Sequence, residues 1–511
     1  MTQSDSKRYK TDYPLLHEPG WLDVMLRHQG VDASEFALRF ASRKDWPVRE
    51  IAEQLHCYPR AQEKLGPLHR PGMIYLREAL EQASGYATAT WRARNWVTNG
   101  EKSKRSAVST DDARSGARLQ DNPDSSSEPD RIIRVADLTG GLGIDTAAFG
   151  LAGAEVAYCE RNPMLAVIAR HNHQLLGLDP RICWHTGDGM EWLASRKQKA
   201  SQPQASQTQA SQTQGSQTQG SQSMDSQSMD SQSEALKLDL LYIDPSRRPG
   251  GKRVLSLQDS EPDVTRHLAL IRSSAYRYLV KLSPMMDPVD AARTLEDCVS
   301  VTAVSVVGEL KELLADCVPA QDRDAAARRP DPVFRAVMID ASGGERFRFS
   351  SDLNDNAQEA GPDADNGFGG DAGTLLFEPD AALFKMRLIE EVARRYGLDR
   401  IHPGIGYLTN GQLPTPSGQP TSTGPPTPST PESFPGKVFR IRGTLPFKPR
   451  HLKKWLEEAG LTRVHIHQRG FSHTVDQLYK KLGCRMGEDA HLFATMTHDG
   501  QRVVIVADRI G

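Results

Sequence analysis

Four acidic residues in the middle of the chain each follow a short apolar run, an arrangement suited to binding a polar ligand. The runs read RIIRVAD, AEVAYCE, ICWHTGD and LLYID, and their final residues are Asp137, Glu160, Asp188 and Asp244. Apolar runs of this length, with helical stretches between them, predict parallel strands buried on both faces. Since ligands bind at the carboxyl ends of such strands, Asp137 and Glu160 are candidates to bind one.

A Gly-rich turn separates the first two acids. Gly140, Gly141 and Gly143 lie between the first predicted strand and a helix of small residues. Glycines let backbone amides approach a ligand closely, and the helix N-terminus offers unpaired N–H groups and the positive end of its dipole. Glu160, at the end of the second strand, is placed to accept both hydroxyls of a ribose. The unit therefore predicts a cofactor that contains a nucleoside.

The residue types in this turn also bear on which cofactor is bound. A dinucleotide site normally shows G-x-G-x-x-G, with the pyrophosphate against the helix N-terminus, whereas this turn reads DLTGGLG. The carboxylate of Asp137 would repel a pyrophosphate, but it suits the ammonium group, or a bridging water, of a cofactor that carries an amino acid. A dinucleotide-dependent oxidoreductase is an alternative, which binding of NAD would favour.

This stretch resembles motif I of the class I S-adenosylmethionine-dependent methyltransferases, in a form similar to that of bacterial RNA methyltransferases such as the small-subunit rRNA guanine-N2 enzymes. The resemblance is carried by Asp137, Thr139, Gly141, Leu142, Gly143, Asp145 and Thr146. It implies an α/β fold with a Rossmann-like seven-stranded class I methyltransferase sheet and S-adenosyl-L-methionine as cofactor. It also implies that the cofactor is held by Asp137, Thr139, Gly140, Gly141, Gly143, Asp145, Glu160 and Asp188. Asp188 occupies the place where the family accepts the adenine amino group.

The loop after the fourth predicted strand reads DPSRR, from Asp244 to Arg248. In the resembled family this loop holds the base to be methylated, in many members through Asn or Asp, two prolines and an aromatic residue. Ser246 and Arg247 replace the second proline and the aromatic residue here. The arginine pair suits a phosphate, or the O6/N7 edge of guanine, which it would bind through bidentate hydrogen bonds.

The reaction that these residues predict is direct transfer of the sulfonium methyl group to a base nitrogen of RNA. Such a displacement depends mostly on alignment. We expect Asp244 to accept a hydrogen bond from the attacking amine, with help from the Pro245 carbonyl, while Arg247 and Arg248 orient the base or its phosphate. Pyrimidine-C5 methylation is disfavoured because it requires a cysteine nucleophile, and neither the 244–248 loop nor the 283–287 loop contains one.

Composition limits the class of protein. A length of 511 residues predicts about two to four domains, and a hydrophobic content of 38% is low for a chain that is folded throughout. The six cysteines show no C-x-x-C spacing, which argues against disulfides and structural zinc. We expect Cys298 and Cys317 to be buried thiols in helices. The sequence shows neither a signal peptide nor an apolar run long enough to span a membrane, so we expect a cytoplasmic protein without a bound metal.

Low-complexity segments divide the chain into predicted domains. Residues 201–235 form seven pentads that each begin with Ser-Gln, and residues 412–433 are rich in Pro, Thr and Ser. Neither segment has an apolar face to bury. The predicted organisation is an N-terminal helical domain at 1–95, a disordered linker at 96–130, the methyltransferase domain at 131–345 with a disordered insertion at 196–235, a disordered linker at 346–373, a ferredoxin-like segment at 374–411, a linker at 412–434 and an α+β THUMP-like domain at 435–511.

Two of these regions carry more detailed expectations. The N-terminal helices are expected to pack on the methyltransferase core, and the alternative is that Trp91, Arg92 and Arg94 grip RNA beside the cofactor. The last three strands of the methyltransferase sheet are predicted at residues 278–283, 301–307 and 333–339, where apolar runs recur.

The C-terminal region carries an excess of basic side chains that the net charge of −2 conceals. After residue 436, Lys and Arg outnumber Asp and Glu about two to one, which predicts a polyanion partner. The stretches FPGKVFRIRG, HQRGFS and DQLYKKLG resemble the THUMP-like domain found beside methyltransferase domains of this type. The resemblance implies RNA, either tRNA or rRNA, as the partner. The residues that we expect to bind it are Arg450, Arg469, Lys480 and Lys481.

Two other functions fit the same residues. Ser246 and Arg247 keep open an RNA-binding protein with a degenerate, non-catalytic methyltransferase domain. In a methyltransferase of small molecules or proteins, the basic C-terminal region would be incidental. Binding of S-adenosylhomocysteine, set beside methyl transfer to tRNA and rRNA, distinguishes the three functions. The sequence leaves the oligomeric state undetermined.

Overall fold

A computed structural model describes residues 13–18, 20–98, 132–201, 237–246, 256–320, 331–351, 374–410 and 434–510. Arg247 and Arg248 lie outside these residues, as do most of the predicted linkers and of the pentad insertion. The chain forms two compact units. The first contains the residues up to Val301 with Leu313–Pro332 and Ala341–Gly344, and the second contains Thr302–Glu312, Val333–Asp340 and the residues from Glu345 onward.

Helices form the N-terminal part of the first unit. They are α1 (Trp21–Arg27), α2 (Ala33–Arg39), α3 (Val48–Leu65), α4 (Arg77–Gln82) and α5 (Tyr86–Ala93), with 3-10 turns at Pro14–Leu16 and Gly66–Leu68 and a π-helical turn at Arg94–Thr98. Ile51 and Leu55 of α3 are buried in a hydrophobic cluster that also includes Leu142 and Ile168 of the following α/β region. The N-terminal helices therefore share a core with that region.

A parallel sheet lies at the centre of the first unit. Its strands are β1 (Arg134–Asp137), β2 (Glu155–Glu160), β3 (Ile182–Thr186), β4 (Leu240–Ile243) and β5 (Tyr278–Leu282). They lie in the order β3-β2-β1-β4-β5 and are parallel. The helices of this region are α6 (Ile144–Leu151), α7 (Pro163–Leu175), α8 (Gly189–Ser201), α9 (Leu268–Ser274) and α10 (Pro288–Thr294), with 3-10 turns at Asp179–Arg181 and Val264–His267. The order reverses between β1 and β4, where open α/β sheets bind their ligands.

Two further strands extend this sheet. They are β6 (Cys298–Val306) and β7 (Glu309–Cys317), joined by a tight turn in which Val307 and Gly308 have positive φ. β7 lies between β5 and β6 and pairs antiparallel with β5. The order β3-β2-β1-β4-β5-β7-β6 agrees with the predicted Rossmann-like methyltransferase sheet. The predicted number of seven strands was wrong, because two later strands follow β6 and the sheet has nine.

The prediction for β6 and β7 was partly wrong. Cys298 and Cys317 are buried, as expected, but they lie in strands and not in helices. The β7 sequence ELKELLADC contains strong helix formers, yet its last six residues are buried in the sheet. Burial in the sheet outweighs intrinsic propensity at this position. Val333–Ile339, predicted as the seventh strand, is the eighth along the described chain.

The second unit contains the remaining strands and helices. The strands are β8 (Val333–Ile339), β9 (Glu345–Ser350), β10 (Leu375–Pro379), β11 (Asp399–Arg400), β12 (Leu408–Thr409), β13 (Gly436–Pro446), β14 (Arg463–Gln468), β15 (Arg485–Met496) and β16 (Arg502–Ile510). The helices are α11 (Ala381–Lys385), α12 (Ile389–Tyr396), α13 (Pro449–Glu458) and α14 (Val475–Leu482). β8 and β9 pair antiparallel, and β10 to β16 form a sheet in the order β11-β12-β10-β13-β16-β15-β14. The predicted α+β C-terminal fold is confirmed.

Three predicted boundaries differ from the structure. Residues 196–201, predicted as the start of the insertion, continue α8 because WLASRKQKA is rich in helix formers. Residues 346–350, predicted as linker, belong to β9, where alternating apolar side chains pair with β8. In the segment predicted as ferredoxin-like, β10 pairs with β13 of the C-terminal domain, so the two regions share one sheet.

Candidate active site

The carboxyl ends of β1 to β4 bring the predicted acids to one edge of the parallel sheet. These acids are Asp137, Glu160, Asp188 and Asp244. Backbone hydrogen bonds join the strand ends: the Leu138 amide donates to the Tyr242 carbonyl at 3.0 Å, and the Gly187 amide donates to the Glu160 carbonyl at 2.8 Å. The loops that follow the four strands therefore form a common rim.

The Gly-rich turn between β1 and α6 is closely packed. Gly141 and Gly143 have φ values of 54° and 76°, which favour glycine. A Cβ at Gly143 would lie 2.2 Å from the His173 ring, and a Cβ at Gly140 would lie 2.2 Å from the Tyr158 ring. Packing therefore requires both of these glycines. A Cβ at Gly141 would meet no atom closer than 3.8 Å within the described chain, so there is space beside its Cα. The Gly141 amide donates to Glu160 at 2.9 Å, and its carbonyl accepts from the Tyr158 hydroxyl at 2.6 Å.

Glu160 and Asp188 each hold a loop in place while part of the carboxylate stays accessible. Glu160 accepts hydrogen bonds from the Gly141 amide at 2.9 Å and the Asn162 amide at 2.7 Å. Asp188 Oδ1 accepts from the Met190 amide at 2.8 Å and caps α8. Both acids are half-buried. Because a carboxylate offers about four lone-pair positions, each can accept further hydrogen bonds from a ligand.

Asp137 is the most deeply buried of the four acids, with 1% of its surface exposed. Its Oδ1 accepts a hydrogen bond from the Thr139 amide at 3.2 Å, and its Oδ2 accepts one from the Thr146 hydroxyl at 2.7 Å. Burial and the nearby charge of Asp145 raise the pKa of Asp137 to about 7, although the two hydrogen bonds oppose the shift. A cation bound beside Asp137 would favour its ionised form.

Asp145, at the start of α6, is surrounded by side chains of the protein. Arg92 of α5 is fully buried and forms an ion pair with it. The Ser84 hydroxyl donates to Asp145 at 2.7 Å and the Tyr242 hydroxyl donates at 3.1 Å. Burial alone would raise the pKa of Asp145, but the charges of Arg92 and Lys281 outweigh it and hold the pKa below its usual range. These contacts give Asp145 a structural role in positioning α6.

The alternative in which Trp91, Arg92 and Arg94 grip RNA does not fit this arrangement. Arg92 is 0% exposed and Trp91 is 3% exposed. Arg94 donates to the Gly343 carbonyl at 3.1 Å. The three side chains therefore pack within the first unit, as the simpler expectation for the N-terminal helices required.

Lys281 of β5 links the buried charges to Asp244. Its Nζ lies 2.7 Å from Asp244 Oδ2 and 3.0 Å from the Ser84 hydroxyl oxygen. The Asp244 amide donates to the Thr139 hydroxyl at 2.7 Å, which joins the loops after β1 and β4. Asp244 Oδ1 accepts no hydrogen bond from the described residues and is available to a ligand. Pro245, which follows, is buried.

Sequence reasoning missed Lys281 and Ser84. A lysine inside the apolar run YLVKL was the available signal, because a buried lysine requires a polar partner. Ser84 offered no comparable signal, since its partner Asp145 lies 61 residues away along the chain.

The residues predicted to bind RNA lie in the second unit and differ in exposure. The exposed ones are Arg450, Lys480 and Lys481. Arg469 is half-buried, with its guanidinium carbon 3.7 Å from the centroid of the Phe384 ring and Nη2 3.2 Å from Glu378 Oε1. Arg469 therefore stabilises contacts inside its own unit, through a cation–π interaction and an ion pair.

The described residues lack two features. No helix in that part of the chain is long and apolar enough to cross a membrane. Within the same residues, the His, Cys, Asp and Glu side chains form no group of three or more that could hold a metal ion.

Known proteins resemble the C-terminal part of the chain and a further stretch of 248 residues. Residues 436–509 match the family described as THUMP domain-like. Over 248 residues the chain is 24% identical to an uncharacterised S-adenosylmethionine-dependent methyltransferase found in two strains of Mycobacterium tuberculosis, CDC 1551 and H37Rv. That match covers 48% of this chain and 57% of these curated relatives, so it spans somewhat more than half of their length.

A solved structure shares the fold over nearly the whole chain. The protein, from Porphyromonas gingivalis W83, is assigned as a methyltransferase. It is 23% identical to this chain, with a TM-score of 0.64 over 96% of this chain and 98% of its own. The predicted resemblances to class I methyltransferases and to THUMP-like domains are confirmed by these similarities.

Proposed function

We propose that the protein is an S-adenosylmethionine-dependent methyltransferase that transfers a methyl group to a base nitrogen of tRNA or rRNA. The observation that carries the proposal is the meeting of four acids at the edge where the parallel strand order reverses. Similarity to S-adenosylmethionine-dependent methyltransferases supports the cofactor. The match of residues 436–509 to THUMP-like domains supports RNA as the partner.

The residues at this edge fit S-adenosylmethionine. Asp137 can pair with the ammonium of the amino-acid part, directly or through a water molecule. Glu160 has acceptor positions for the ribose hydroxyls, and Asp188 has one for the adenine amino group. Gly141 leaves open space beside its Cα. Three carboxylates at this edge of the sheet suit a ligand with positive charge and several hydrogen-bond donors.

Asp244 is the residue that we assign to the methyl acceptor. The cofactor, when bound, supplies an electrophilic methyl group. Asp244 Oδ1 would accept a hydrogen bond from an attacking exocyclic amine and stabilise the positive charge that develops on its nitrogen. Lys281 binds Oδ2 at 2.7 Å and so fixes the orientation of the carboxylate. Thr139 binds the Asp244 amide, which aligns the acceptor loop with the Gly-rich turn.

Three neighbouring residues complete the assignment as proposals. The Pro245 carbonyl would assist Asp244 at the attacking amine. Arg247 and Arg248 would orient the base or its phosphate through bidentate hydrogen bonds.

Two measurements made on the same protein test the proposal. We expect S-adenosylhomocysteine to bind in a calorimetric titration, and we expect tritium from labelled S-adenosylmethionine to enter bulk tRNA or rRNA from cells that lack the gene. Digestion and mass spectrometry would then locate the methylated base. Binding without incorporation would exclude RNA as the substrate and favour the degenerate or small-molecule alternatives. Failure to bind would remove the cofactor from the proposal.

A further inference from the structure

One side of the seven-stranded sheet in the second unit carries a row of histidines. His465 pairs with His491 between β14 and β15, and Phe439 pairs with Arg509 between β13 and β16. Residues that pair in this way share one face of the sheet. The rings of Phe439 and His491 are 5.0 Å apart, so both pairs lie on the same side. We call this surface the histidine face and define it by Lys437, His465, His467, His491 and Arg509.

The two sides of this sheet are covered differently. α13 and α14 pack on the opposite side through an apolar cluster that includes Leu452 and Leu478. On the side of the histidines, Tyr407 belongs to an apolar cluster that covers one end of the sheet. At the other end, Lys437 and Arg509 are exposed and the histidines are half-exposed. Part of the histidine face is therefore open to solvent.

The rings on the histidine face are stacked. The centroids of His465 and His491 are 5.2 Å apart, with 21° between the ring planes. His467 and Phe493 stack at 4.4 Å and 13°. His467 Nε2 lies 2.9 Å from His491 Nδ1, and this hydrogen bond holds the two stacks side by side. Aromatic rings on the open side of a sheet can stack with RNA bases.

Burial favours the neutral forms of His467 and His491. Burial lowers the pKa of His467 to about 3, and the neighbouring His491 and Lys437 add to the shift. Burial also lowers the pKa of His491, with a contribution from His465. These rings are therefore suited to stacking and not to binding phosphate through a positive charge.

The cations of the histidine face add a net positive charge. Glu378 lies 4.0 Å from the Lys437 ammonium, but it also accepts from Arg469 at 3.2 Å. Asp508 is bound by Arg442 at 2.5 Å. Because these acids are each paired with another arginine, the surface attracts an anion.

We propose that the histidine face binds single-stranded RNA, with bases stacked on His465 and His491 and phosphates bound by Lys437 and Arg509. This inference rests on the proposed function, which makes RNA the partner. It also names a surface that differs from the exposed predicted residues, because those lie on α13 and α14. An acidic peptide would use the cations but would leave the stacked rings without a role.

Fluorescence anisotropy with the full chain and a fluorescein-labelled, mixed-sequence single-stranded RNA of about 12 nucleotides tests the proposal. Replacement of both rings, His465→Ala with His491→Ala, should weaken binding at least about fivefold because a stacking platform is lost. His465→Phe should bind as the wild type does, because it keeps a flat ring. His498→Ala and Lys454→Ala are matched controls with exposed side chains, and should leave binding unchanged.

Two further substitutions test the RNA surface without altering the packed histidine rings. Lys437→Ala and Arg509→Ala alter exposed side chains. Each should lower the slope of log Kd against log salt by about 1, because one phosphate contact is lost.

Weaker binding by the double alanine variant at an unchanged melting temperature, with binding retained by His465→Phe, supports the proposal. Unchanged RNA affinity in the double alanine and the Lys437 and Arg509 variants overturns it. The proposal is also overturned if the double variant Lys480→Glu, Lys481→Glu is the only one of these variants that weakens RNA binding. Tighter binding of an acidic peptide than of the RNA would overturn it as well, as would a wild-type protein that binds no RNA.

Titration with S-adenosylhomocysteine distinguishes this proposal from the proposed function. A variant that loses RNA affinity but binds S-adenosylhomocysteine normally supports the histidine face as the RNA surface. A wild-type protein that binds RNA through this face, but neither binds S-adenosylhomocysteine nor transfers methyl groups, supports the inference and contradicts the proposed methyltransferase.

Discussion

The two compact units place their charged groups in different surroundings. The first unit buries several of them beside the candidate site: Arg92 is 0% exposed, Asp137 is 1% exposed and Lys281 is 6% exposed. The second unit surrounds stacked, half-exposed histidines with cations at the surface. Buried charges interact strongly and fix geometry, whereas surface charges act at longer range and are screened by salt. The difference indicates that the first unit suits a small ligand held in one orientation and the second suits an extended anion.

The largest expected effect is the loss of methyl transfer when Asp244 is replaced. Asp244→Ala removes the proposed acceptor of the amine hydrogen bond, and we expect kcat for methyl transfer to fall by about 10²- to 10⁴-fold. S-Adenosylhomocysteine should still bind, as measured by calorimetry. Asp290→Ala, at an exposed carboxylate on α10, is the matched control and should transfer at the normal rate. Retained turnover in Asp244→Ala would remove Asp244 from the mechanism.

A buried cation should matter far more for folding than an exposed one. Arg92→Met leaves Asp145 without its ion-pair partner, and we expect the free energy of unfolding to fall by about 3 to 5 kcal/mol. Arg77→Met breaks an exposed pair with Glu81, for which we expect a much smaller loss because solvent screens the pair. Urea denaturation followed by circular dichroism measures both. Equal losses in the two variants would contradict the contrast between buried and surface charge.

The raised pKa of Asp137 predicts that cofactor binding depends on pH. Below pH 7 a proton competes with the ligand ammonium for a carboxylate whose pKa is about 7. The affinity for S-adenosylhomocysteine should therefore fall by up to about tenfold for each pH unit below 7. Calorimetry between about pH 5.5 and 7 measures this, because the α-amino group stays charged in that range. Asp137→Asn should bind weakly with a flat profile, and an identical slope in this variant would refute the assignment.

Folding should show the opposite dependence on pH at the same residue. The pKa of Asp137 is higher in the folded protein than in the unfolded chain. Its contribution to the free energy of unfolding is therefore fully present below about pH 4 and is lost as the pH rises through about 7. Urea denaturation across this range should show a smaller fall in stability for Asp137→Asn than for the wild type. A steeper fall in the variant would contradict the raised pKa.

The smallest effect is expected at a surface ion pair of the second unit. Arg442 and Asp508 lie 2.5 Å apart, and their side chains are 37% and 42% exposed. Arg442→Ala should change the free energy of unfolding by less than about 1 kcal/mol, since solvent screens the pair. A thermal melt is a sufficient measurement. A loss as large as that of Arg92→Met would show that surface charge also fixes the fold of this unit.

The sequence predicted the acids of the candidate site because their signals are local. Asp137, Glu160 and Asp188 each end or follow an apolar run, and the Gly-rich turn lies between the first two. Ser84 could not be found in this way, because it meets Asp145 across 61 residues of chain. For Lys281 the lysine in YLVKL was a local signal, but its partner Asp244 was not evident from the sequence. Ser84 contacts Asp145 at the start of α6 and Lys281 contacts Asp244 after β4, so both contacts depend on the three-dimensional fold.

The structure differs from the sequence-based interpretation at β7 and adds to it at two glycines. β7 was missed because its Glu, Leu and Ala residues favour a helix, although Gly308 between two apolar runs was an available sign of a hairpin. Gly140 and Gly143 were interpreted as residues that let the backbone approach a cofactor. The structure adds a packing reason for both, since Tyr158 and His173 occupy the space where their side chains would lie.

The contact of Ser84 and Arg92 with Asp145 has a consequence for how this protein can diverge. A gene fragment that begins at residue 131 would encode Asp145 and Lys281 without two of their partners. Recombination that exchanges the Gly-rich segment alone would combine Asp145 from one protein with Arg92 from another. A replacement at Arg92 calls for a compensating replacement at Asp145. The N-terminal helices and the acidic edge are therefore expected to be inherited together.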